Sequence, residues 1–453
     1  MRFTHGFVAL ALLPGCPDRT IDAVTPVQGK VNTMDIPAVV RREADILFVI
    51  DNSGSMKEEQ DSLRANFGRF TQVLETIEGG MPDVHIGVVT SDLGTSAADS
   101  STAGSAFGCN GHGDDGVMRG APSVTGRFIA DNGHGGINYT GTLDQAFSAI
   151  ADVGTMGCGI EQHLGAMERA LENPANAGFV RNDAYLAVVV IGDEDDCSLA
   201  KSGLFGSSPI ADAVNFACTR DGVECDDTPN DMTSPGTRNR CHPSDHAQWV
   251  SPVDRYVDFL KHEKQDPRDV VVAGIVGDPK PFAITTQNNT SVLAPSCTYT
   301  GASGDQHAFP AVRTSDFLEQ FPTRTQSTIC GADLSGAMTR LGELLKYEFG
   351  DWCFEEELAD ADPSTPELDP ECTVTDVRRI PNEPDQEIAV IPACAAAPGT
   401  IPCWRVVEDS AKCSYTATNP HLALQVDRGG QAPANDIHVK ASCVTVTSGG
   451  TQF

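Results

Sequence analysis

The sequence predicts an α/β fold: a doubly wound, mostly parallel sheet with long disulfide-stapled insertions, followed by a small disulfide-rich β module. Two observations lead to this prediction. Apolar runs of strand length alternate with amphipathic helical stretches, and fifteen cysteines are spread over the 453 residues. The runs that we interpret as strands buried on both faces are 45–50, 84–90, 185–191 and 269–276.

Helical patterns alternate with these runs along the chain. Between Leu63 and Ile77 apolar side chains recur at spacings of three and four, and Gly79-Gly80 ends the pattern. Strands that alternate with helices in this way favour a parallel sheet. Further helices are predicted at 159–171, 252–262 and 334–349. Long Gly-, Ser- and Asp-rich insertions are predicted at 91–150, 193–248 and 277–312.

Changes of composition divide the chain into four parts. A basic start, an apolar stretch and Leu13-Pro14-Gly15-Cys16 resemble a bacterial lipoprotein signal, in which the cysteine is lipidated. The alternative is a wrongly assigned start codon with an ordinary buried Cys16. The predicted parts are a lipoprotein-type signal peptide over 1–16, a tether over 17–42, the α/β domain over 43–350 and a cysteine-rich β module over 351–453.

The cysteine count predicts export. Without a lipidated Cys16 the chain keeps fourteen of its fifteen cysteines, an even number that allows seven disulfides. Such a density is typical of oxidising compartments. The rival interpretation, metal binding by thiolates, lacks any CxxC pair in the sequence. We therefore expect a membrane-anchored lipoprotein that faces the periplasm or the cell surface.

Charge and hydropathy exclude two classes of partner. The formal net charge of −32 opposes binding to nucleic acid, which is itself a polyanion. No run approaches the roughly 18 to 20 apolar residues of a membrane-spanning helix. A membrane contact is therefore expected through the lipid anchor only.

The first predicted strand ends in Asp51-Asn52-Ser53-Gly54-Ser55. Ligands of open α/β sheets bind outside the carboxyl ends of the strands. There, one carboxylate and two hydroxyls spaced two residues apart suit a hard divalent cation, and Gly54 allows the tight turn. The alternative is a serine-rich turn that caps the next helix.

This motif, after a buried strand and before an amphipathic helix, resembles the metal-ion-dependent adhesion site of von Willebrand factor type A domains. The resemblance covers roughly residues 43–350 and implies two further ligands, a threonine and an aspartate. Asp193, after the strand that ends at Ile191, matches the aspartate, whereas Cys158 stands in the place of the threonine. Other acids expected near the same edge are Asp92, Asp195 and Asp278.

The resemblance implies that Asp51, Ser53, Ser55 and Asp193 bind Mg²⁺, or Ca²⁺ or Mn²⁺ in its place. A carboxylate of a protein ligand would complete the coordination. Cys158 is a poor ligand for such cations, and we expect it to form a disulfide, with Cys109 or Cys197 as candidates.

Two other functions stay open. The chain is alternatively a structural scaffold of the cell envelope with a degenerate metal site. A metal-dependent hydrolase is less favoured, because the sequence contains no Gly-x-Ser-x-Gly elbow, no Walker A motif and no identifiable general base. We therefore expect a binding protein rather than an enzyme.

Overall fold

The structure is a computed structural model. It describes residues 30–37, 41–77, 80–94, 109, 111–201, 214–227, 231–349 and 352–446, except 355, 363, 366, 381–382, 411–412, 414–420, 432 and 435. The predicted signal peptide and its lipidated Cys16 lie outside the described residues.

The helices are α1 (Lys57–Glu75), α2 (Leu143–Ile150), α3 (His163–Glu172), α4 (Val214–Gly222), α5 (Val253–His262), α6 (Val312–Glu319) and α7 (Ser335–Glu348). The strands are β1 (Lys30–Pro37), β2 (Glu43–Ile50), β3 (Asp83–Thr90), β4 (Ile129–Asp131), β5 (Tyr185–Gly192), β6 (Val223–Cys225), β7 (Gly236–Arg238), β8 (Cys241–Pro243), β9 (Val270–Val276), β10 (Phe282–Gln287), β11 (Thr290–Leu293), β12 (Cys297–Gly301), β13 (Gly304–Ala308), β14 (Thr323–Thr328), β15 (Cys372–Arg378), β16 (Gln386–Ile391), β17 (Cys403–Glu408), β18 (Leu422–Asp427) and β19 (Ile437–Thr445).

The largest sheet has six strands in the order β14-β9-β5-β2-β3-β4. The first five run parallel and β4 is antiparallel, so the sheet is mixed. Strands β5 and β9 are buried along their whole length, because apolar clusters cover both faces. Helices α1, α2 and α7 contribute to one cluster, and α3, α5 and α6 contribute to the other. The carboxyl ends of β2 and β5 lie side by side, since Ile50 pairs with Ile191.

The predicted fold class, a doubly wound and mostly parallel von Willebrand A-like sheet, was wrong for this chain. Among the described residues, those in strands (33%) outnumber those in helices (23%). Besides the mixed sheet, the described residues form one four-stranded, one three-stranded and three two-stranded antiparallel sheets. Several of these lie where the sequence suggested only insertions. Strands β12 and β13 are rich in polar side chains and only partly buried, so no run of apolar residues marks them.

Seven disulfides use all fourteen cysteines other than Cys16, as the count predicted. The pairs are Cys109–Cys158, Cys197–Cys218, Cys225–Cys241, Cys297–Cys330, Cys353–Cys413, Cys372–Cys443 and Cys394–Cys403. This number of bridges is consistent with an exported or extracellular protein. Among the described residues, no helix combines the length and the apolar character needed to cross a bilayer.

The four-stranded sheet joins the two ends of the described chain. Its order is β1-β19-β15-β16, and β1 pairs with β19 over eight residues. Lys30–Pro37, part of the segment predicted to be a tether, is therefore a strand. Ion pairs attach this sheet near the amino ends of the parallel strands: Arg268, just before β9, bonds Asp385 at 2.5 Å. Arg41, which follows β1 in the chain, pairs with Asp269 at the amino end of β9.

Asp45 carries a buried charge near the amino end of β2, and the chain neutralises it. The side chain is fully buried. It accepts hydrogen bonds from the backbone N–H of Arg181 at 2.6 Å and from the Arg181 Nε at 2.7 Å. The Lys264 Nζ lies 3.9 Å from the same carboxylate. Acids at this end of the sheet thus have basic partners.

Removal of one member of this network should be strongly destabilising. We expect Arg181→Met to lower the free energy of unfolding by about 3 kcal/mol, because a buried carboxylate loses its main counter-charge. The matched control is Arg255→Met, whose exposed pair with Glu168 should contribute less than about 1 kcal/mol. Urea denaturation at neutral pH measures both changes; equal effects would contradict the assignment.

Candidate functional site

Asp51 lies directly after β2, at the carboxyl end of the parallel strands. Its backbone N–H donates to the Ile191 carbonyl at 2.9 Å, which continues the pairing with β5. The Oδ1 atom accepts the Ser53 backbone N–H at 2.7 Å, and the side chain is fully buried. The Ser53 and Ser55 hydroxyls lie 3.1 Å apart. The turn therefore gathers one carboxylate and two hydroxyl oxygens, and it meets solvent at Gly54 and Ser55.

Three further carboxylates surround Asp51. Asp193 follows β5 and is buried, and the register of β2 and β5 places it beside Asp51. Carboxylate oxygens of Asp51, Glu161 and Glu194 all lie within 4.8 Å of one another. Glu161 precedes α3, whereas Glu194 follows Asp193 in the chain. We refer to Asp51, Glu59, Glu161, Asp193 and Glu194 as the acidic cluster.

Glu59 completes the acidic cluster from the first turn of α1. Its Oε1 accepts the Tyr299 hydroxyl at 2.7 Å. The neighbouring Glu58 accepts the backbone N–H groups of Ala302 and Ser303, at 2.9 and 2.5 Å. The β12–β13 hairpin is therefore attached to the start of α1, beside the site, although its strands carry few apolar residues.

Several buried oxygens of the acidic cluster have no hydrogen-bond donor. They are Asp51 Oδ2, Glu59 Oε2, Glu161 Oε1 and Asp193 Oδ1. Within the described part of the chain, no Lys or Arg forms an ion pair with these four side chains. An ionised carboxylate in such a place is costly unless a cation or a proton compensates it.

Burial and mutual repulsion therefore favour the protonated forms. Burial, followed by the charge of Glu194, raises the pKa of Asp51 to about 7. Burial and then the charge of Asp193 raise the pKa of Glu194 to about 8. The pKa values of Glu161 and Asp193 are also raised, chiefly by burial. The metal-free cluster thus holds protons that a bound cation would displace.

The three other acids predicted for this edge do not join the cluster. Asp92 accepts the backbone N–H groups of Gly94 and Cys158, at 2.8 and 3.1 Å. Asp195 accepts the backbone N–H groups of Arg313 and Thr314, at 2.9 and 3.0 Å, and so caps α6. Asp278 follows β9 and is half-buried; among the described contacts, no hydrogen bond connects it with Asp51.

Cys158 is not available as a ligand, because it forms a disulfide with Cys109, one of the two partners considered from the sequence. Its backbone N–H is fixed on Asp92, and the Gly157 N–H donates to the Asn52 carbonyl at 3.0 Å. These bonds hold the loop before α3 against the Asp51 turn. Glu161, three residues after Cys158, is thereby the acid that this loop delivers to the cluster.

Sequence analysis did not single out Glu59, Glu161 or Glu194. A signal existed only for Glu194, which adjoins Asp193 in a run of four acids after a buried strand. Glu59 and Glu161 lie near helix starts, where an acidic side chain commonly stabilises the helix through its interaction with the helix dipole and needs no other role. These two side chains point towards Asp51 because of the tertiary path of the chain, which the spacing of residues in the sequence does not reveal.

Comparisons with known proteins add little to this description. No protein-family model and no curated protein matches the chain. Among solved structures, proximal thread matrix protein 1 from the mussel byssus is 13% identical, over 69% of this chain and 50% of that chain, with a TM-score of 0.29. The adhesive tip pilin from Group B Streptococcus agalactiae is 9% identical, over 93% of this chain and 82% of that chain, with a TM-score of 0.27. Similarity at this level supports no inference about function.

The raised pKa values predict how stability depends on pH. In EDTA, the free energy of unfolding should fall as pH rises from about 4 to 8, because the folded chain retains protons that unfolded carboxyl groups release near pH 4. Each group contributes a slope of up to about 1.4 kcal/mol per pH unit, until the pH passes its folded-state pKa of about 7 for Asp51 and about 8 for Glu194.

Urea denaturation at about pH 5 and pH 8 measures this slope. The variant Asp51→Asn/Glu194→Gln should show a smaller fall than the unmodified chain. Glu348, whose pKa burial raises to about 7, is present in both proteins, so its contribution cancels. Identical slopes would contradict the assignment to the acidic cluster.

Proposed function

We propose that this protein binds a partner protein through a divalent cation held by Asp51, Ser53, Ser55 and Asp193. The observation that carries the proposal is the set of buried carboxylate oxygens without donors, above all Asp51 Oδ2 and Asp193 Oδ1. Buried polar atoms are nearly always satisfied in proteins. A cation is the ligand that satisfies oxygens of this kind, because it compensates their charge as well.

The donor set favours a hard cation. Carboxylate and hydroxyl oxygens are typical ligands of Mg²⁺, Ca²⁺ and Mn²⁺, whereas softer metals prefer nitrogen and sulfur. The nearby cysteines Cys109, Cys158 and Cys197 are all in disulfides. The resemblance of Asp51–Ser55 to a metal-ion-dependent adhesion site agrees with this chemistry.

The position of the turn supports recognition of a partner carboxylate. Gly54 and Ser55 are exposed, while Asp51 and Asp193 lie beneath them. A cation bound there would keep its solvent side for an incoming oxygen. Export supports a protein partner outside the cytoplasm, and we further propose a lipid anchor at Cys16 as the only contact with a membrane.

A structural scaffold with a degenerate site is the alternative. The disulfide at Cys158, in the position of the threonine of the resembled family, favours it. In that case the cation is dispensable and the stapled hairpins provide the contacts. A metal-dependent hydrolase is less favoured, because the sequence contains no nucleophile elbow and no identifiable general base.

Substitution of Asp51 should abolish cation binding. We expect Asp51→Ala to weaken Mg²⁺, Ca²⁺ and Mn²⁺ binding by at least about 100-fold, because it removes the central carboxylate of the site. Calorimetry with each ion measures the change. Asp61→Asn removes an exposed carboxylate of α1 that pairs with Lys57, and it is the matched control. Unchanged affinity in Asp51→Ala would refute the proposed site.

A small dicarboxylate, glutarate, can mimic the carboxylate of the partner protein. Glutarate added to the Mn²⁺-loaded protein should displace inner-sphere water and lower the water proton relaxation rate. EDTA should abolish the effect, and Asp193→Asn should weaken it. The scaffold alternative predicts the relaxation rate to be insensitive to glutarate, even if Mn²⁺ is bound.

A further inference from the structure

We infer that the acidic cluster holds two cations, the second one between Asp51, Glu161 and Glu194. This inference rests on the proposed function, since it places the first cation at Asp51, Ser53, Ser55 and Asp193. Asp51 would be shared by the two ions, one on each side of its carboxylate.

The spacing of the three acids fits one ion. Their carboxylate oxygens lie within 4.8 Å of one another. Oxygen ligands bind Ca²⁺ at about 2.3–2.6 Å, so two ligands on the same ion are at most about 5 Å apart. Glu161 and Glu194 come from different elements, and neither belongs to the Asp51–Ser55 turn.

Glu161 is an independent sign of a ligand at this position. Only 2% of the residue is exposed, and its Oε1 has no hydrogen-bond donor. Asp51 likewise has a buried oxygen without a donor, Oδ2. Carboxylate oxygens of the two residues lie within the spacing of a cation's ligands, and a bound cation would compensate their desolvation.

Charge balance agrees with two ions. The four acids that would ligate them, Asp51, Glu161, Asp193 and Glu194, carry four negative charges as carboxylates, which two divalent cations balance and one does not. Two other buried acids are neutralised by arginines: Arg313 lies 3.0 Å from Asp196, and Arg181 bonds Asp45. Among the described residues, no Lys or Arg forms an ion pair with Asp51, Glu161 or Asp193, so bound cations are left to balance their charge.

The ions shared by one carboxylate would be close together. Paired metal ions in proteins lie about 3.5–4 Å apart. At that separation two Mn²⁺ ions couple magnetically, whereas an isolated Mn²⁺ gives a resolved six-line spectrum. Electron paramagnetic resonance therefore distinguishes a pair from two separate sites.

The experiment loads the full chain with Mn²⁺, measures bound metal after equilibrium dialysis and records the spectrum. We expect two ions per chain and a spectrum broadened by spin coupling. Glu161→Gln/Glu194→Gln, which keeps side-chain size, should bind one ion and show the six-line pattern. Asp61→Asn should behave like the unmodified chain, and near-ultraviolet circular dichroism checks that each variant is folded.

Each other outcome has a distinct meaning. One ion in the unmodified chain, retained in the double variant, overturns the second site and leaves the proposed function intact. One ion that the double variant loses, while Asp193→Asn retains it, also overturns the pair and moves the single ion to Glu161. No bound ion overturns both proposals. If the double variant fails to fold, Glu194→Gln alone should weaken binding of the second ion at least tenfold. An affinity for the second ion equal to that of the unmodified chain would overturn the inference.

Discussion

The pairing of β2 with β5 brings Asp51 and Asp193 together, because each acid follows its strand at the same edge of the sheet. Both strands are buried, so neither carboxylate can turn to solvent without breaking the ladder. The proximity of two negative charges is thus imposed by backbone hydrogen bonds and apolar packing. The turn at Ser53, the loop before α3 and the β12–β13 hairpin are all arranged around this pair.

In the part of the chain that the structure describes, buried acids at the amino ends of the parallel strands have arginine partners, whereas Asp51 and Asp193 at the carboxyl ends do not. At the amino ends, Asp45 and Asp269 have arginine partners, and the four-stranded sheet is attached through further ion pairs. At the carboxyl ends, Asp51 and Asp193 have none among the described residues. The acid–arginine pairs at the amino ends stabilise the fold. The arrangement at the carboxyl ends is unfavourable in isolation and is typical of a site that an external ligand completes.

The sequence predicted those features that depend on runs of apolar residues or on the number of cysteines. Four of the parallel strands begin and end within two residues of the apolar runs that predicted them. The neighbouring positions of Asp51 and Asp193 followed from the strands that precede them. The even number of cysteines predicted the seven bridges, although spacing did not give their pairing.

Other features depend on contacts that leave no local pattern. The fold class was wrong because hairpins such as β12–β13 are polar along both strands and are fixed by Glu58 and the Cys297–Cys330 bridge rather than by an apolar face. Glu161 could not be placed, since the loop that carries it is positioned by the disulfide and by Asp92. The pairing of Lys30 with Thr445 spans nearly the whole chain, and no periodicity signals it.

The junction between the four-stranded sheet and the amino ends of the parallel strands has a consequence for orientation. A strand rises about 3.3 Å per residue, so Asp51 lies about 20 Å along β2 from Asp45. The four-stranded sheet, which contains β1, is attached at the opposite end of the strands from the edge that we propose to bind cations. In a chain anchored through the residues before β1, that edge would be the one further from the attached strand and the more accessible to molecules in the medium.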